Sequence, residues 1–274
     1  MLQADATVQA IELRGVTKRF VTTVGTAFTA LHDLDLTVAP GEFTAVVGPT
    51  GCGKSTTLAL ISGLEAPSTG TVRVFGEPVQ AVGRSVGYVF QRDAVFPWKS
   101  VLDNVAMGPR FRGVDTEHAN ADAREWIARV GLDGFERYYP HQLSGGMRKR
   151  VALAQTLINH PRILLMDEPF SALDVQTRAL MENELLDLWA SSGASVVFVT
   201  HDLEEAIGMA DRVLVITAGP GTVKGTYKVD LPRPRNIAEI RFQPRFIELY
   251  EEIWNDLRDE VLVSYERSKH RVAS

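Results

Sequence analysis

The residues from Gly48 to Ser55 form a pattern that could bind phosphate. The pattern is G-x-x-x-x-G-K-[ST], and it stands between an apolar run and a helical segment, which is the context this motif requires. Its glycines let several backbone N–H groups converge on one anion, and the following helix adds its positive end. A glycine-rich turn with an incidental lysine is the alternative, but the flanking strand and helix favour a nucleotide phosphate. The residues expected to contact nucleotide here are Gly48, Pro49, Thr50, Gly51, Cys52, Gly53, Lys54, Ser55 and Thr56.

Four side chains carry the chemistry that we expect around this phosphate. Lys54 should neutralise the β- and γ-phosphates, and the Ser55 hydroxyl should coordinate Mg²⁺. Asp167 and Glu168 follow the apolar run 163–166, at the strand end where open α/β sheets bind ligands. We expect Asp167 to hold Mg²⁺ directly or through water, and Glu168 to polarise the attacking water as a general base. An apolar run followed by an acid is common by itself, but beside a phosphate motif it indicates hydrolysis.

Two further polar residues end apolar runs. His201 follows the run 195–199, and Gln91 ends the run 86–90. A lone histidine is more often a structural residue, but an imidazole beside the γ-phosphate could hydrogen-bond it and help to align the water. Gln91 is similarly placed to contact Mg²⁺ or the water. We therefore expect both residues to act in catalysis, with Gln91 also a metal ligand.

The elements that must position these residues are short buried strands. Apolar, β-branched runs at 43–47, 86–90, 163–166 and 195–199 predict strands, and helical segments at 54–63 and 172–191 lie between them. Strands that alternate with helices indicate an α/β fold with a largely parallel, covered sheet.

Two regions depart from this alternation. Between about 93 and 160 the strand-like runs vanish, and helical patterns at 101–107, 115–130 and 147–158 predict a helical subdomain inserted into a body that spans 8–230. A final segment, 231–274, contains apolar residues at helical spacing from near Pro244. We expect this amphipathic helix to close the core of the same chain, with partner binding as the alternative.

Composition excludes several classes of protein. The 274 residues are 45% hydrophobic and 23% charged, as in ordinary globular proteins, and the net charge of −5 provides no overall positive field for nucleic acid. The apolar runs are far shorter than the roughly 18 residues of a membrane-spanning helix. The single cysteine and the N-terminal residues, which lack a secretory signal pattern, favour the cytoplasm.

The segment Leu143-Ser144-Gly145-Gly146-Met147 resembles the signature of the ATP-binding-cassette (ABC) ATPases. The phosphate motif, Gln91, this signature, the Asp167–Glu168 pair, Asp174 and His201 also follow the order of that family along the chain. The resemblance implies a RecA-like P-loop NTPase core with an antiparallel β portion and an inserted helical subdomain. It also implies that the chain binds and hydrolyses ATP.

The resemblance assigns roles that composition and spacing do not. It implies that two copies of the chain sandwich ATP head to tail, with Ser144, Gly145 and Gly146 donating hydrogen bonds to the γ-phosphate on the opposite copy. Asp174 would sit near the dimer axis and couple the two sites. Phe20 matches the aromatic residue that stacks on adenine, and Phe28 is the alternative. Met147 departs from the usual glutamine, so we expect a side-chain contact to be lost and ATP sandwiching to persist.

Local features resemble the importer ATPases of the nitrate, sulfonate and taurine type. Among them are Pro97-Trp98 and Arg233-Pro234-Arg235. This resemblance implies two membrane permease subunits, an indirect periplasmic binding protein, no nucleic acid, and a peripheral position on the cytoplasmic face of the inner membrane. Phe96, Pro97 and Trp98 would lie near the groove that receives a permease helix, unless Phe96 and Trp98 fill the core.

Alternatives remain open. A soluble cassette ATPase that acts on nucleic acid or ribosomes shares every nucleotide motif, and a small-molecule kinase would share the phosphate motif but not the signature.

The basic run Arg148-Lys149-Arg150 is expected to be a solvated helix face, with attraction to the opposite nucleotide as the alternative. Cys52 is expected to be a small loop filler, although a helix N-terminus and Lys54 can lower the pKa of a thiol.

Overall fold

A computed structural model of the chain describes residues 8–21, 25 and 27–272. These residues divide into two compact units. The first combines the described residues up to Gly83 with those from Ala194 onward, and the second is Arg84–Gly193. In the part of the chain that the structure describes, no helix is both long and apolar enough to cross a lipid bilayer.

The strands and helices are numbered in chain order. The strands are β1 (Ile11–Val21), β2 (Ala27–Val38), β3 (Phe43–Val47), β4 (Thr69–Val74), β5 (Glu77–Pro78), β6 (Val86–Val89), β7 (Ile163–Asp167), β8 (Ser195–Val199), β9 (Arg212–Ile216) and β10 (Val223–Lys228). The helices are α1 (Lys54–Ser62), α2 (Val101–Val105), α3 (Met107–Phe111), α4 (Thr116–Arg129), α5 (Gly145–Leu157), α6 (Val175–Ser192), α7 (Leu203–Met209), α8 (Ile237–Ile240) and α9 (Pro244–Val272).

Parallel strands form the centre of the first unit. Strand β3 lies between β8 and β9 and pairs in parallel with both, and β10 adds an antiparallel edge next to β9. Every residue of β3 and β8 is buried, as is typical of parallel strands covered on both faces. The carboxyl ends of β9, β3 and β8 therefore meet at one sheet edge, where the three loops that follow them begin.

The first unit also contains an antiparallel sheet with the strand order β2-β1-β4-β5. Strand β1 buries Ile11 and Leu13 and leaves Arg14 exposed, which is the alternation of a sheet with one covered face. Register shifts interrupt its pairing with β2 between Leu13 and Val16 and again near Lys18. These bulges break the period of two, so the sequence pattern alone did not locate these strands.

Helix α9 closes the core of the first unit, as predicted. It begins at Pro244 and buries Phe246, Leu249, Ile253 and Leu257, which follow one another at helical spacing. Trp254 is also an apolar residue of this helix, but it is 40% exposed and stacks on Tyr250 at the helix surface. The described part of the C-terminal segment therefore packs mainly against its own chain.

The second unit combines a strand pair with helices. Strands β6 and β7 pair in parallel, and helices α2 to α5 lie between them in the chain. The predicted helix 101–107 is broken at Ala106 into α2 and α3, because Pro109 has no N–H to donate to the carbonyl of Val105. The compact unit is larger than the predicted subdomain 93–160 because it includes β6, β7 and α6. The domain boundaries predicted from the sequence stay a prediction.

Candidate functional site

The segment Gly48–Ser55, hereafter the phosphate loop, connects the end of β3 to the start of α1. Gly51 and Gly53 have φ values of 79° and 103°, which a residue with a side chain rarely adopts. A Cβ at Gly53 would lie 2.5 Å from a methyl carbon of Leu31, so this position excludes any side chain. Gly53 also caps α1 and has no side chain to satisfy the first N–H groups of the helix. The start of α1, directly after the loop, is therefore left without a side-chain cap.

Lys54 lies at the mouth of the phosphate loop and is 6% exposed. Its Nζ donates hydrogen bonds to the carbonyl oxygens of Gly48 and Pro49, at 2.7 and 3.1 Å. These bonds hold the ammonium group against the loop backbone. Thr50 and Ser55 are exposed at the same loop, so their hydroxyl groups can reach a ligand.

Cys52 fills space beneath the phosphate loop, as predicted. It is 1% exposed, and a Cβ placed on Gly48 would lie 2.8 Å from its Sγ. Burial raises the pKa of the Cys52 thiol, and this effect outweighs the lowering by the positive charge of Lys54. The lowering of the thiol pKa that the helix N-terminus and Lys54 can cause is therefore outweighed here.

His201 follows β8 at the sheet edge from which the phosphate loop also leaves, because Val46 of β3 is the register partner of Val199. The preceding residue, Thr200, is buried and donates its hydroxyl to Glu205 at 2.6 Å. Asp202 caps α7 and accepts from two backbone N–H groups of its first turn. These bonds fix the backbone on both sides of His201, whose side chain is exposed.

Phe20 and Phe28, the two candidates for the adenine contact, lie directly opposite each other on β1 and β2. Lys18 Nζ lies 4.8 Å from the centroid of the Phe20 ring. Phe20 is half-buried and Phe28 is 41% exposed. Both rings therefore present surface that a flat base could cover.

In the second unit, β7 ends at Asp167 and the chain turns at Glu168. Glu168 has φ 43°, in the left-handed region that non-glycine residues seldom occupy, and such strain is concentrated at functional sites. Gln91, which follows β6, donates from its Nε2 to the Glu168 carboxylate at 3.2 Å. Gln91 and Glu168, which follow two separate apolar runs in the sequence, are thus within hydrogen-bond distance of each other.

Tyr88 is a residue at this site that sequence analysis missed. It lies close enough to Asp167 for the negative charge of that carboxylate to act on its hydroxyl group. Burial raises the pKa of Tyr88, and the negative charge of Asp167 raises it further, so the hydroxyl stays protonated. The sequence signal that could have found it is its position in β6. Tyr88 is the register partner of Leu165, which lies two residues before Asp167.

The signature segment forms the start of α5. Ser144 is the N-cap, and its Oγ accepts a hydrogen bond from the Met147 N–H at 3.2 Å. The hydroxyl proton of Ser144 can therefore still be donated to a ligand. A Cβ on Gly146 would lie 3.2 Å from the Thr177 side chain, so a larger residue would disturb the packing.

Asp174 caps α6 in the same way that Ser144 caps α5. Its carboxylate accepts from the Thr177 N–H at 3.0 Å. This hydrogen bond lowers the pKa of Asp174, so the group is ionised at neutral pH. The residue expected near a dimer axis thus has a local structural role as well.

The prediction of a solvated basic face at Arg148-Lys149-Arg150 is wrong. Lys149 is 5% exposed, and its Nζ lies 2.6 Å from the Gln91 carbonyl oxygen and 3.1 Å from the Asp93 carboxylate. Arg148 pairs with the same carboxylate, and Arg150 pairs with Glu184. The three cations tie α5 to neighbouring segments because Asp93 and Glu184, far away in the sequence, face them.

We predict that Lys149→Met lowers the free energy of unfolding by about 2 kcal/mol, since it removes a largely buried charge-assisted hydrogen bond. Hydrolysis should fall as well, because the backbone of Gln91 loses its anchor. Urea unfolding and steady-state assays measure both effects. Arg129→Met is the control, since its ion pair with Glu125 is 48% and 63% exposed and should cost less than about 0.5 kcal/mol. Equal effects of the two changes would contradict the anchoring role.

The residues present fit the phosphate of a nucleotide and a divalent cation. The phosphate loop combines two positive-φ glycines, an uncapped helix start and a fixed ammonium group, which together suit an anion. Hydroxyl, amide and carboxylate oxygens of Ser55, Gln91 and Asp167 are the donor types that Mg²⁺ prefers.

The chain matches the model of the ABC transporter family over residues 31–171. It is 47% identical over 240 residues to an ABC transporter ATP-binding protein of Methanocaldococcus jannaschii, MJ0412, with 88% of both chains covered. It is 40% identical over 253 residues to the nitrate import ATP-binding protein NrtD of Synechocystis sp., covering 90% of this chain and 95% of the relative. It is 42% identical over 228 residues to the taurine import ATP-binding protein TauB of Burkholderia thailandensis, covering 82% and 88%.

A solved structure agrees with these relatives. The dimeric, post-hydrolysis ABC cassette MJ0796 bound to ADP and phosphate superposes with a TM-score of 0.72 and 31% identity, over 81% of this chain and 100% of that one. The α/β fold with parallel and antiparallel sheets, predicted from the motifs, is thereby confirmed. The chain therefore belongs to the ABC transporter family, as one of its ATP-hydrolysing subunits.

Proposed function

We propose that this chain powers the uptake of a small solute, such as nitrate, a sulfonate or taurine, through partner permeases. The observation that carries the proposal is its similarity, along most of its length, to the nitrate and taurine import proteins. In this role the chain would lie on the cytoplasmic face of the membrane with two permease subunits. A periplasmic binding protein would deliver the solute to the permeases without contacting this chain.

The phosphate loop binds the triphosphate of ATP in this proposal. Its backbone N–H groups and Lys54 receive the phosphate oxygens, and Phe20, or in its place Phe28, stacks on adenine. Ser55, Gln91 and Asp167 hold Mg²⁺, which when bound neutralises part of the phosphate charge. Tyr88 supports this role, because its protonated hydroxyl lies near the Asp167 carboxylate and is a suitable donor to a metal-binding group.

Hydrolysis rests on three side chains. Glu168 accepts a proton from the attacking water, and the hydrogen bond from Gln91 at 3.2 Å holds its carboxylate in one orientation. His201 donates a hydrogen bond to the γ-phosphate and helps to align the water. The left-handed backbone conformation of Glu168 supports this assignment, since such conformations are concentrated at functional sites.

A second copy of the chain completes each nucleotide site. Ser144, Gly145 and Gly146 donate from the start of α5 to the γ-phosphate bound by the other copy, while Asp174 lies near the axis between them. The helix has 13 residues and a cap whose hydroxyl proton remains available, which suits this contact. The dimeric form of the MJ0796 cassette supports the same arrangement.

The loop Phe96–Ser100, within the second unit, is the proposed permease contact. Trp98 is 69% exposed and packs edge-on against Phe96, so it does not fill the core. Asn104 is fully buried and exchanges hydrogen bonds with the backbone of Phe96, Lys99 and Ser100, which holds the loop rigid beneath the exposed ring. Such an exposed aromatic residue on a fixed loop is typical of an interface.

Reconstitution with its permeases tests the proposal. Proteoliposomes that carry the complex and the binding protein should take up labelled nitrate or taurine when ATP is supplied on the side of this chain. The Trp98→Ala variant should lose uptake while keeping the basal ATPase rate of the purified chain. Failure of the chain to associate with the permeases, or solute movement in the opposite direction, would contradict the importer role.

A further inference from the structure

The loop Thr217–Thr222, hereafter the β9–β10 loop, touches the backbone of the phosphate loop directly. Strands β9 and β3 are parallel neighbours, so both loops leave the same sheet edge. A Cβ on Gly221 would lie 2.1 Å from the carbonyl oxygen of Cys52, and one on Gly219 would lie 3.5 Å from that of Gly51. No side chain can stand between Gly221 and Cys52, so the β9–β10 loop cannot move towards Cys52 without displacing the phosphate loop.

Two side chains near the C-terminal end of helix α9 hydrogen-bond the backbone of the β9–β10 loop. The Glu260 carboxylate accepts a hydrogen bond from the Ala218 N–H at 2.7 Å. The Arg267 guanidinium donates to the carbonyl oxygens of Ala218, at 3.2 Å, and of Gly219. Both polar backbone groups of Ala218 are thus bound by charged side chains of one helix.

Lys224 fixes the Glu260 carboxylate in turn. Its Nζ lies 3.0 Å from Glu260 and donates to the Asp256 carbonyl oxygen at 2.9 Å. The side chains of Lys224 and Glu260 are only 25% and 15% exposed, so solvent screens this pair less than an ordinary surface pair. The carboxylate is therefore held at the β9–β10 loop.

We infer that Glu260 and Arg267 are positioning residues for nucleotide binding, which act by holding the β9–β10 loop against the phosphate loop. The inference rests on the proposed binding of ATP by the phosphate loop. Backbone donors bind a phosphate tightly only where their positions are fixed in advance, and α9 supplies that restraint from 200 residues further along the chain. Neither residue touches the nucleotide.

The test compares Glu260→Ala and Arg267→Ala with two exposed changes on the same helix, Glu251→Ala and Arg258→Ala. Isothermal titration of the full chain with ATP measures the dissociation constant, and thermal unfolding measures stability. We expect Glu260→Ala and Arg267→Ala each to raise the dissociation constant about five- to tenfold, because each change removes a hydrogen bond to the backbone of Ala218. Arg267→Lys should recover part of the affinity, because an ammonium group can still donate to one carbonyl. The two controls should bind ATP as the unchanged chain does.

Lys54→Ala separates failure of the inference from failure of the proposed function. If Lys54→Ala weakens ATP binding while Glu260→Ala and Arg267→Ala do not, the positioning role is overturned and the phosphate loop keeps its function. If Glu260 or Arg267 variants have a lower unfolding midpoint but unchanged ATP affinity, the positioning role is also overturned, because their contacts then only stabilise the fold. If Lys54→Ala binds ATP normally, the proposed site itself is wrong.

Discussion

Replacing Lys54 with alanine is expected to raise the dissociation constant for ATP at least about 100-fold and to abolish measurable hydrolysis. The ammonium group lies at the mouth of the phosphate loop and is 6% exposed, so little water competes for its hydrogen bonds. The change removes the positive charge that compensates the β- and γ-phosphates, and alanine offers no other donor. Isothermal titration with ATP and a phosphate-release assay measure the two effects.

Two further variants show whether this loss is local. Lys54→Met keeps most of the side-chain volume and should lose ATP binding to the same extent. Its unfolding midpoint should fall, since two buried hydrogen bonds are lost, but the chain should remain folded at the temperature of the titration. Lys228→Ala removes an exposed lysine of β10 and should leave binding intact. Normal ATP affinity in Lys54→Met would show that the phosphates are bound elsewhere.

Replacing Glu168 with glutamine is expected to slow hydrolysis by about 100- to 10,000-fold while ATP still binds. The amide cannot accept a proton from the attacking water, whereas the phosphate loop and its lysine are untouched. Glutamine keeps the Cβ of Glu168, so the strain at φ 43° is the same and folding should not change. Single-turnover hydrolysis and equilibrium ATP binding separate the two steps.

The control for this change is Glu125→Gln, on the exposed face of α4, where the side chain is 63% exposed. It should hydrolyse ATP at the normal rate. If Glu168→Gln lost less than about tenfold in rate, a general-base role for this carboxylate would be untenable.

The sequence predicted the parallel strands better than the antiparallel ones, and the reason is physical. Strands β3 and β8 are buried on both faces, so they appear as unbroken apolar runs. Strands β1 and β2 bury one face, and the bulges near Val16 and Lys18 shift their alternation. Only the resemblance to ABC ATPases anticipated an antiparallel portion.

Site residues were predictable where a motif fixes the local backbone, as in the phosphate loop. Contacts across long sequence separations were not. The sequence around Lys149 predicts a solvated side chain. Its ion-pair partner, Asp93, lies more than 50 residues earlier and shares no motif with it. The left-handed conformation of Glu168 and its hydrogen bond to Gln91 also depend on how β6 and β7 pair, which no local pattern specifies.

The family resemblance contributed what residue chemistry could not. A histidine after a strand and a glutamine after another are each weak signals alone. The roles proposed for Gln91 and His201 came from their positions at the ends of apolar runs, and the order of the family's motifs agrees with them. The roles of Ser144, Gly145 and Gly146 need a second copy of the chain, which no feature of one chain reveals.

Sedimentation velocity of the Glu168→Gln variant, with and without ATP, tests the shared nucleotide site most directly. We predict a dimer with saturating ATP and a monomer without it, because ATP that is not hydrolysed bridges the phosphate loop of one copy and the signature helix of the other. A Glu168→Gln chain that also carries Gly145→Asp should stay monomeric, since a carboxylate there repels the γ-phosphate. A monomer in saturating ATP, or equal dimerisation of both variants, would contradict the account.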